Sequence, residues 1–258
     1  MGDRNVVIQK KTINRLVSDI SDIIKNPLHI NNIYYEHDEE NILLGYAMIV
    51  GPEDTPYYGG FYFFKFNYPH NYPHSPPKVT YYTNDGVTRF NPNLYKSGKV
   101  CLSVLNTWRG EGWTGCQTIS SILLTLSSIL NENPLLNEPG IKECHRDFKN
   151  YNNIIQFKNY EVALIRMLNK QSLPEIFYMF HDKMIAIYIQ NYAKYVENII
   201  TIMEKDNAVN GVGGSDESKC DMSGQSRMVS IGIYGMSAYI NYGDILENME
   251  FLYQSLVK

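Results

Sequence analysis

The sequence predicts an α+β fold: an N-terminal helix, a four-stranded antiparallel meander, a central helix and a helical extension toward the C-terminus. Three observations carry this expectation. Apolar residues recur at helical spacing over 13–24 and again over 119–130, short β-rich runs alternate with turn-rich clusters over 32–82, and from about residue 150 the pattern becomes helical.

Ile13, Leu16, Val17, Ile20, Ile23 and Ile24 form an apolar stripe with Lys10, Lys11, Arg15, Asp19 and Asp22 off it, which predicts an amphipathic helix closed by Pro27. Strands are predicted near 32–37, 41–50 and 60–67, joined by the turn-rich segments EHDEEN and GPEDTPYYGG. The proline-dense stretch YPHNYPHSPPKV is a stiff crossing segment ahead of a fourth strand, 78–82. Thr118 is a candidate cap for the central helix, in which Ile119, Ile122, Leu123, Leu126, Ile129 and Leu130 repeat the stripe and Asn133-Pro134 ends it. Helices are then predicted over 151–169, 174–205 and 241–257, with a Gly- and Ser-rich flexible loop near 206–227.

A chain of 258 residues can bury a core without disulfides, and its four cysteines have neither zinc spacing nor a dense framework, so a reducing compartment and no metal are expected. Residues 1–11 are too polar for a secretory signal and no apolar run approaches the ~20 residues of a membrane span, so an intracellular, soluble protein is expected. A net charge of -4 with mixed signs argues against a general nucleic-acid grip. Tyrosine and asparagine are scattered through every segment, as coding bias from an AT-rich genome would leave them.

The chemistry concentrates in RFNPNLYKSGKVCLSVL, where the turn Asn91-Pro92-Asn93 stands eight residues before Cys101. Taken alone, a cysteine between Val100 and Leu102 reads as buried filler. As a nucleophile it would need access, thiolate character and a donor for an oxyanion, and the Asn93 amide on a proline-stiffened turn is a suitable donor.

What changes the balance is the ordered set YPHSPPKV, FNPNLYKSGKVCLSVL, then Trp113 ahead of a helix that exits through ENP. This set resembles the ubiquitin-conjugating enzymes, the E2 family, and within it the large Z-type members, on the strength of RFNPNLY, KVCLSVL, TWRGEGW and ENPLLNEPG. The resemblance covers about residues 10–150. It implies the UBC fold, with a catalytic core over 1–150 and a helical extension over 151–258. One departure is Asn91, which stands where most members carry His; on the sequence alone Asn91→His is expected to leave activity near unchanged.

By that resemblance Cys101 accepts the C-terminus of ubiquitin or a ubiquitin-like protein from an E1 as a thioester, and Asn93 stabilises the oxyanion when a substrate lysine attacks. Glu138, with Asn137 as competitor, is the expected lysine-orienting residue, although a loop acid is more often simply solvated. Ser103 stands where many members carry an acidic gate residue, and a hydroxyl there is usually only a hydrogen-bond filler. Lys10, Lys11 and Arg15 fall where E2s meet an E1, a stretch that reads equally as a solvated charged face. His74, Pro76, Thr114 and Cys116 fall where E2s meet an E3 ligase, with residue types unlike the usual ones. No cofactor is expected, ATP being used by the E1, and the expected partners are E1, modifier, E3 and substrate proteins. Location in cytoplasm or nucleus and a monomeric state are expected.

Cys116 and Cys144 read as structural and Cys220 as an exposed oxidation site. Two other readings compete: an E2-variant-like docking module without chemistry, which would not need Cys101, and a cysteine hydrolase, which would need a histidine within reach of the thiol.

Overall fold

The computed structural model describes residues 8–210 and 226–257. Helix α1 (Lys10–Lys25) leads into an antiparallel sheet of β1 (Ile33–His37), β2 (Leu44–Val50), β3 (Phe61–Asn67) and β4 (Lys78–Tyr81), paired in sequence order. The register sets Met48 against Phe63 and Phe64 against Tyr81. Helix α2 (Ile119–Ser128) follows, and Thr118 does cap it: the Thr118 hydroxyl accepts from Ser121 N while Ser121 Oγ accepts from Thr118 N.

The stripe predicted for α1 is only partly used. Leu16 and Ile23 are buried, but so are Thr12 and Asp19, whereas Ile13, Val17 and Ile24 are exposed. The physical reason is a polar anchor. Thr12 Oγ1 donates to His70 O, and Asp19 accepts from Tyr72 OH at 2.5 Å and from Arg15 Nε at 2.9 Å. Burying that carboxylate requires these partners, and they fix the rotation of the helix at the cost of half its apolar face.

The meander also departs from a half-solvated sheet, which would alternate buried and exposed residues. Strand β2 is buried from Gly45 through Val50, and β3 from Phe61 through Phe64. One face is covered from beyond residue 150: Phe177 packs on Phe63 at 4.8 Å between ring centroids, and on Tyr46 and Tyr82. A single core therefore runs from Leu16 to Met249.

After residue 147 the predicted helices exist with altered bounds. Helix α3 (Phe148–Lys158) continues into a π-helical stretch, Asn159–Arg166. The widening begins at Asn159, whose fully buried amide accepts from Tyr62 OH and donates to Tyr58 O. A 3-10 turn, Glu175–Phe180, precedes α4 (His181–Asn210). Helix α5 (Tyr242–Leu256) starts from Asn241, whose Oδ1 accepts from Gly243 N.

The hairpin of β5 (Arg227–Ile231) and β6 (Met236–Ile240) is not among the elements predicted from the sequence. Its signal was present: Val229, Ile231, Met236, Ala238 and Ile240 alternate with polar or exposed residues around Gly232 and Gly235. Of the segment expected as a loop near 206–227, residues 206–210 belong to α4 and Arg227 opens β5; residues 211–225, including Cys220, lie outside the described residues.

Candidate active site

The site is built on the segment between β4 and α2. Tyr57 OH donates to Phe90 O at 2.7 Å, fixing the entry to the Asn91-Pro92-Asn93 turn. From the turn the chain runs out and back as a short loop: Leu94 bridges Val100, and Tyr95 N donates to Lys99 O. Gly98 turns it with a φ of +84, and its N–H and carbonyl bond Tyr95 O and Tyr81 N. A side chain there would be strained, because a Cβ would lie 2.8 Å from Tyr81 O. The loop explains the eight-residue spacing, for it returns Cys101 beside Asn93. Cys101 N donates to Asn93 O at 2.9 Å, and Asn93 Nδ2 donates to Cys101 O at 2.6 Å.

Asn91 organises the turn. Its Nδ2 donates to Tyr57 OH (2.9 Å) and Ile129 O (2.7 Å), and its Oδ1 accepts from Asn93 N (3.0 Å) and Asn137 Nδ2 (3.4 Å). A fully buried amide thus uses both donors and both acceptor positions. Asn137 also donates to Ile129 O and accepts from Asn131, so it braces the turn against the end of α2. Asn93 Oδ1 is buried without a partner.

Cys101 itself is 1% exposed. The sequence reading required an accessible thiol, and in this conformation the residue is shielded. Cys116 and Cys144, expected to be structural, are exposed, because both sit on surface loops rather than in a packed element.

Ser103 opens a short 3-10 turn and is half-buried, beside Gly110, where an added Cβ would come within 3.1 Å of it. Thr107 Oγ1 accepts from Leu102 N and lies within bonding distance of Val100 O and Leu102 O, closing the segment after the cysteine. Trp113 Nε1 donates to Pro73 O at 2.7 Å, fastening the loop before α2 to the proline-rich crossing. His74, Thr114 and Cys116 are exposed around that junction, and Pro76 lines a groove of about 560 Å³ with Val79, Lys99 and Thr107. Lys10 and Lys11 are exposed, but Arg15 is engaged within the chain: besides Asp19 it donates to Gly115 O (2.6 Å) and Gln117 O (2.5 Å).

Around the turn lie residues that sequence reasoning did not single out. Arg89 Nη2 donates to Pro92 O at 2.6 Å, and its guanidinium carbon lies 3.7 Å from the Tyr95 ring centroid and 4.3 Å from that of Tyr234. Arg89 N donates to Met236 Sδ, and Arg89 O accepts from Tyr151 OH. Tyr234 OH donates to Glu138 Oε2. Burial, reinforced by the Glu138 carboxylate, pushes the Tyr234 phenol well above its ordinary value, so it remains a donor. Period-2 alternation could have located the hairpin, but nothing in sequence pairs residue 234 with 89 or 138.

The turn, the returning cysteine loop and the four-stranded meander define a class of protein. Residues 15–160, more than half the chain, match the family described as "Ubiquitin-conjugating enzyme", and the chain belongs to that family, with the UBC fold. Among its relatives, "Ubiquitin-conjugating enzyme E2 Z" of Danio rerio is 40% identical over 192 residues, covering 73% of this chain and 58% of the relative. The protein of the same name from Homo sapiens is 41% identical over 165 residues, 62% of this chain and 46% of its own. "Probable ubiquitin-conjugating enzyme E2 R521" of Acanthamoeba polyphaga mimivirus is 37% identical over 156 residues, 56% of this chain and 11% of its own. The chain spans about half the length of the E2 Z relatives it matches. Among the described residues, no helix is long and apolar enough to cross a membrane.

Proposed function

We propose that this chain accepts ubiquitin or a ubiquitin-like protein from an E1 and passes it to a lysine, usually with an E3. In the first step the Cys101 thiol gives up its proton and attacks the E1 thioester carbonyl; a new C–S bond forms and the E1 thiol leaves. In the second, a neutral lysine amine attacks the new thioester, the C–N bond forms, the C–S bond breaks and Cys101 is restored. A thioester is already activated, so the second step demands mainly orientation, desolvation and charge stabilisation at the oxyanion.

The single observation that carries this reading is the direct fastening of the Asn93 turn to Cys101 through both backbone groups of the cysteine. The Asn93 amide has two N–H groups, and one holds the Cys101 carbonyl; the second supplies the oxyanion donor in the proposed transfer. The burial of Cys101 favours a second reading, a docking module that binds a modifier or ligase without chemistry. One experiment separates them. Incubation with E1, ATP and ubiquitin gives a shifted band that a thiol reductant removes and Cys101→Ala abolishes; no shift with any E1 and modifier pair selects the docking module.

A further inference from the structure

The hairpin beyond α4 reaches the site through its turn, Gly232-Ile233-Tyr234-Gly235. Tyr234 has a φ of 64, a left-handed conformation uncommon for a large side chain, and it is held there from several directions. Ile233 N donates to Asp147 Oδ2 at 2.9 Å, and the Tyr234 ring lies against both Arg89 and Tyr151. Its phenol donates to one carboxylate oxygen of Glu138, a half-buried residue directly after Asn137, which braces the Asn91 turn.

Glu138 is therefore an oriented acid with one oxygen uncommitted. Among the described residues its Oε1 has no hydrogen-bond partner and the carboxylate enters no ion pair. The adjacent cation, Arg89, is turned elsewhere, between two aromatic rings and onto Pro92 O. A neutral phenol restricts the carboxylate without cancelling its charge, as an arginine partner would. The complement this arrangement lacks is a cationic or amine donor arriving from solvent.

We propose that Tyr234 is a positioning residue for the acceptor: by holding one oxygen of Glu138, it presents the other to the incoming lysine amine. The hairpin beyond residue 226 is then part of the transfer site. Pre-orienting the carboxylate removes its ordering cost from the encounter with lysine, so its loss falls mainly on the apparent affinity for lysine. The inference rests on the reading of the chain as a lysine-directed conjugating enzyme.

The test uses full-length chain carrying ubiquitin on Cys101, isolated as the thioester and chased in a single turnover with L-lysine or hydroxylamine. Hydroxylamine is small and uncharged and needs no carboxylate to orient it. Tyr234→Phe keeps the ring against Arg89 and removes only the hydroxyl. Discharge to subsaturating lysine falls about five- to tenfold through a higher KM, while discharge to hydroxylamine stays within about twofold. Glu138→Gln gives at least as large a loss, and the double variant is no worse than Glu138→Gln alone. Unchanged lysine discharge in Tyr234→Phe, faster discharge, a parallel loss with both nucleophiles, or a silent Glu138→Gln overturns the proposal while leaving the proposed function standing. Failure of the wild-type chain to form any thioester overturns the proposed function, and this inference with it.

Discussion

The side-chain amide of Asn93 donates a 2.6 Å hydrogen bond to the backbone carbonyl of Cys101, eight residues further along the chain. Before any reaction, then, this amide holds the cysteine segment in place. Asn93→Ala leaves that buried carbonyl unpaired, and chemical denaturation should show a loss of about 1–3 kcal/mol. In the proposed reaction Asn93→Ala still charges on Cys101, but transfer to lysine slows on the order of 100-fold. Stability and transfer at wild-type values would deny Asn93 both parts.

Asn91 yields a prediction that differs from the one its sequence position suggests. Its amide serves Tyr57, Ile129, Asn93 and Asn137 at once, whereas a neutral imidazole has one donor and one acceptor. Asn91→His should cost about 1–3 kcal/mol, because buried partners are left unsatisfied. A thermal melt matching the wild type would show that the turn tolerates either residue.

Thiol accessibility can be read directly. Cys116 and Cys144 are exposed and Cys101 is shielded, so alkylation of the native protein with iodoacetamide, followed by peptide mass spectrometry, should mark the first two on the order of tenfold faster. Modification of Cys101 then reports the local opening that charging requires. Equal rates at all three would contradict a shielded resting site.

The buried tyrosines set an alkaline limit. Tyr57 beside the turn, together with Tyr62, Tyr68, Tyr81 and Tyr151, has its phenol pushed upward by burial. A pKa raised in the folded state contributes stability that is fully present below the unfolded value of about 10 and is lost as pH rises above it toward the folded value. Unfolding midpoints should hold up to about pH 10 and fall beyond it, with tyrosinate absorbance rising late and cooperatively. Gradual ionisation of all tyrosines near pH 10, with no loss of structure, would contradict their burial.

Much of the fold was legible because local rules and tertiary demands agree over residues 10–130. The strand cores, the Thr118 cap and the proline-rich crossing follow from alternation, capping and restricted backbone. The expected α1 face was partly wrong because hydrogen bonds to His70 and Tyr72, which no periodicity reports, turned Asp19 inward. The β5–β6 hairpin carries a visible alternation in the sequence, but a loop-like composition runs directly into it and masks that signal.

The sequence by itself determined the family, through its ordered motifs, and the succession of elements over residues 10–130; the pairing of the Asn-Pro-Asn turn with Cys101 was implied by that resemblance. Only the tertiary structure decided what surrounds that pair. Shielding of Cys101, the bracing of Asn91 by Asn137, and the reach of Tyr234 to Glu138 are contacts between distant parts of the chain. They depend on how packed elements exclude water and satisfy buried polar groups, and that is settled when the core closes rather than along any one segment.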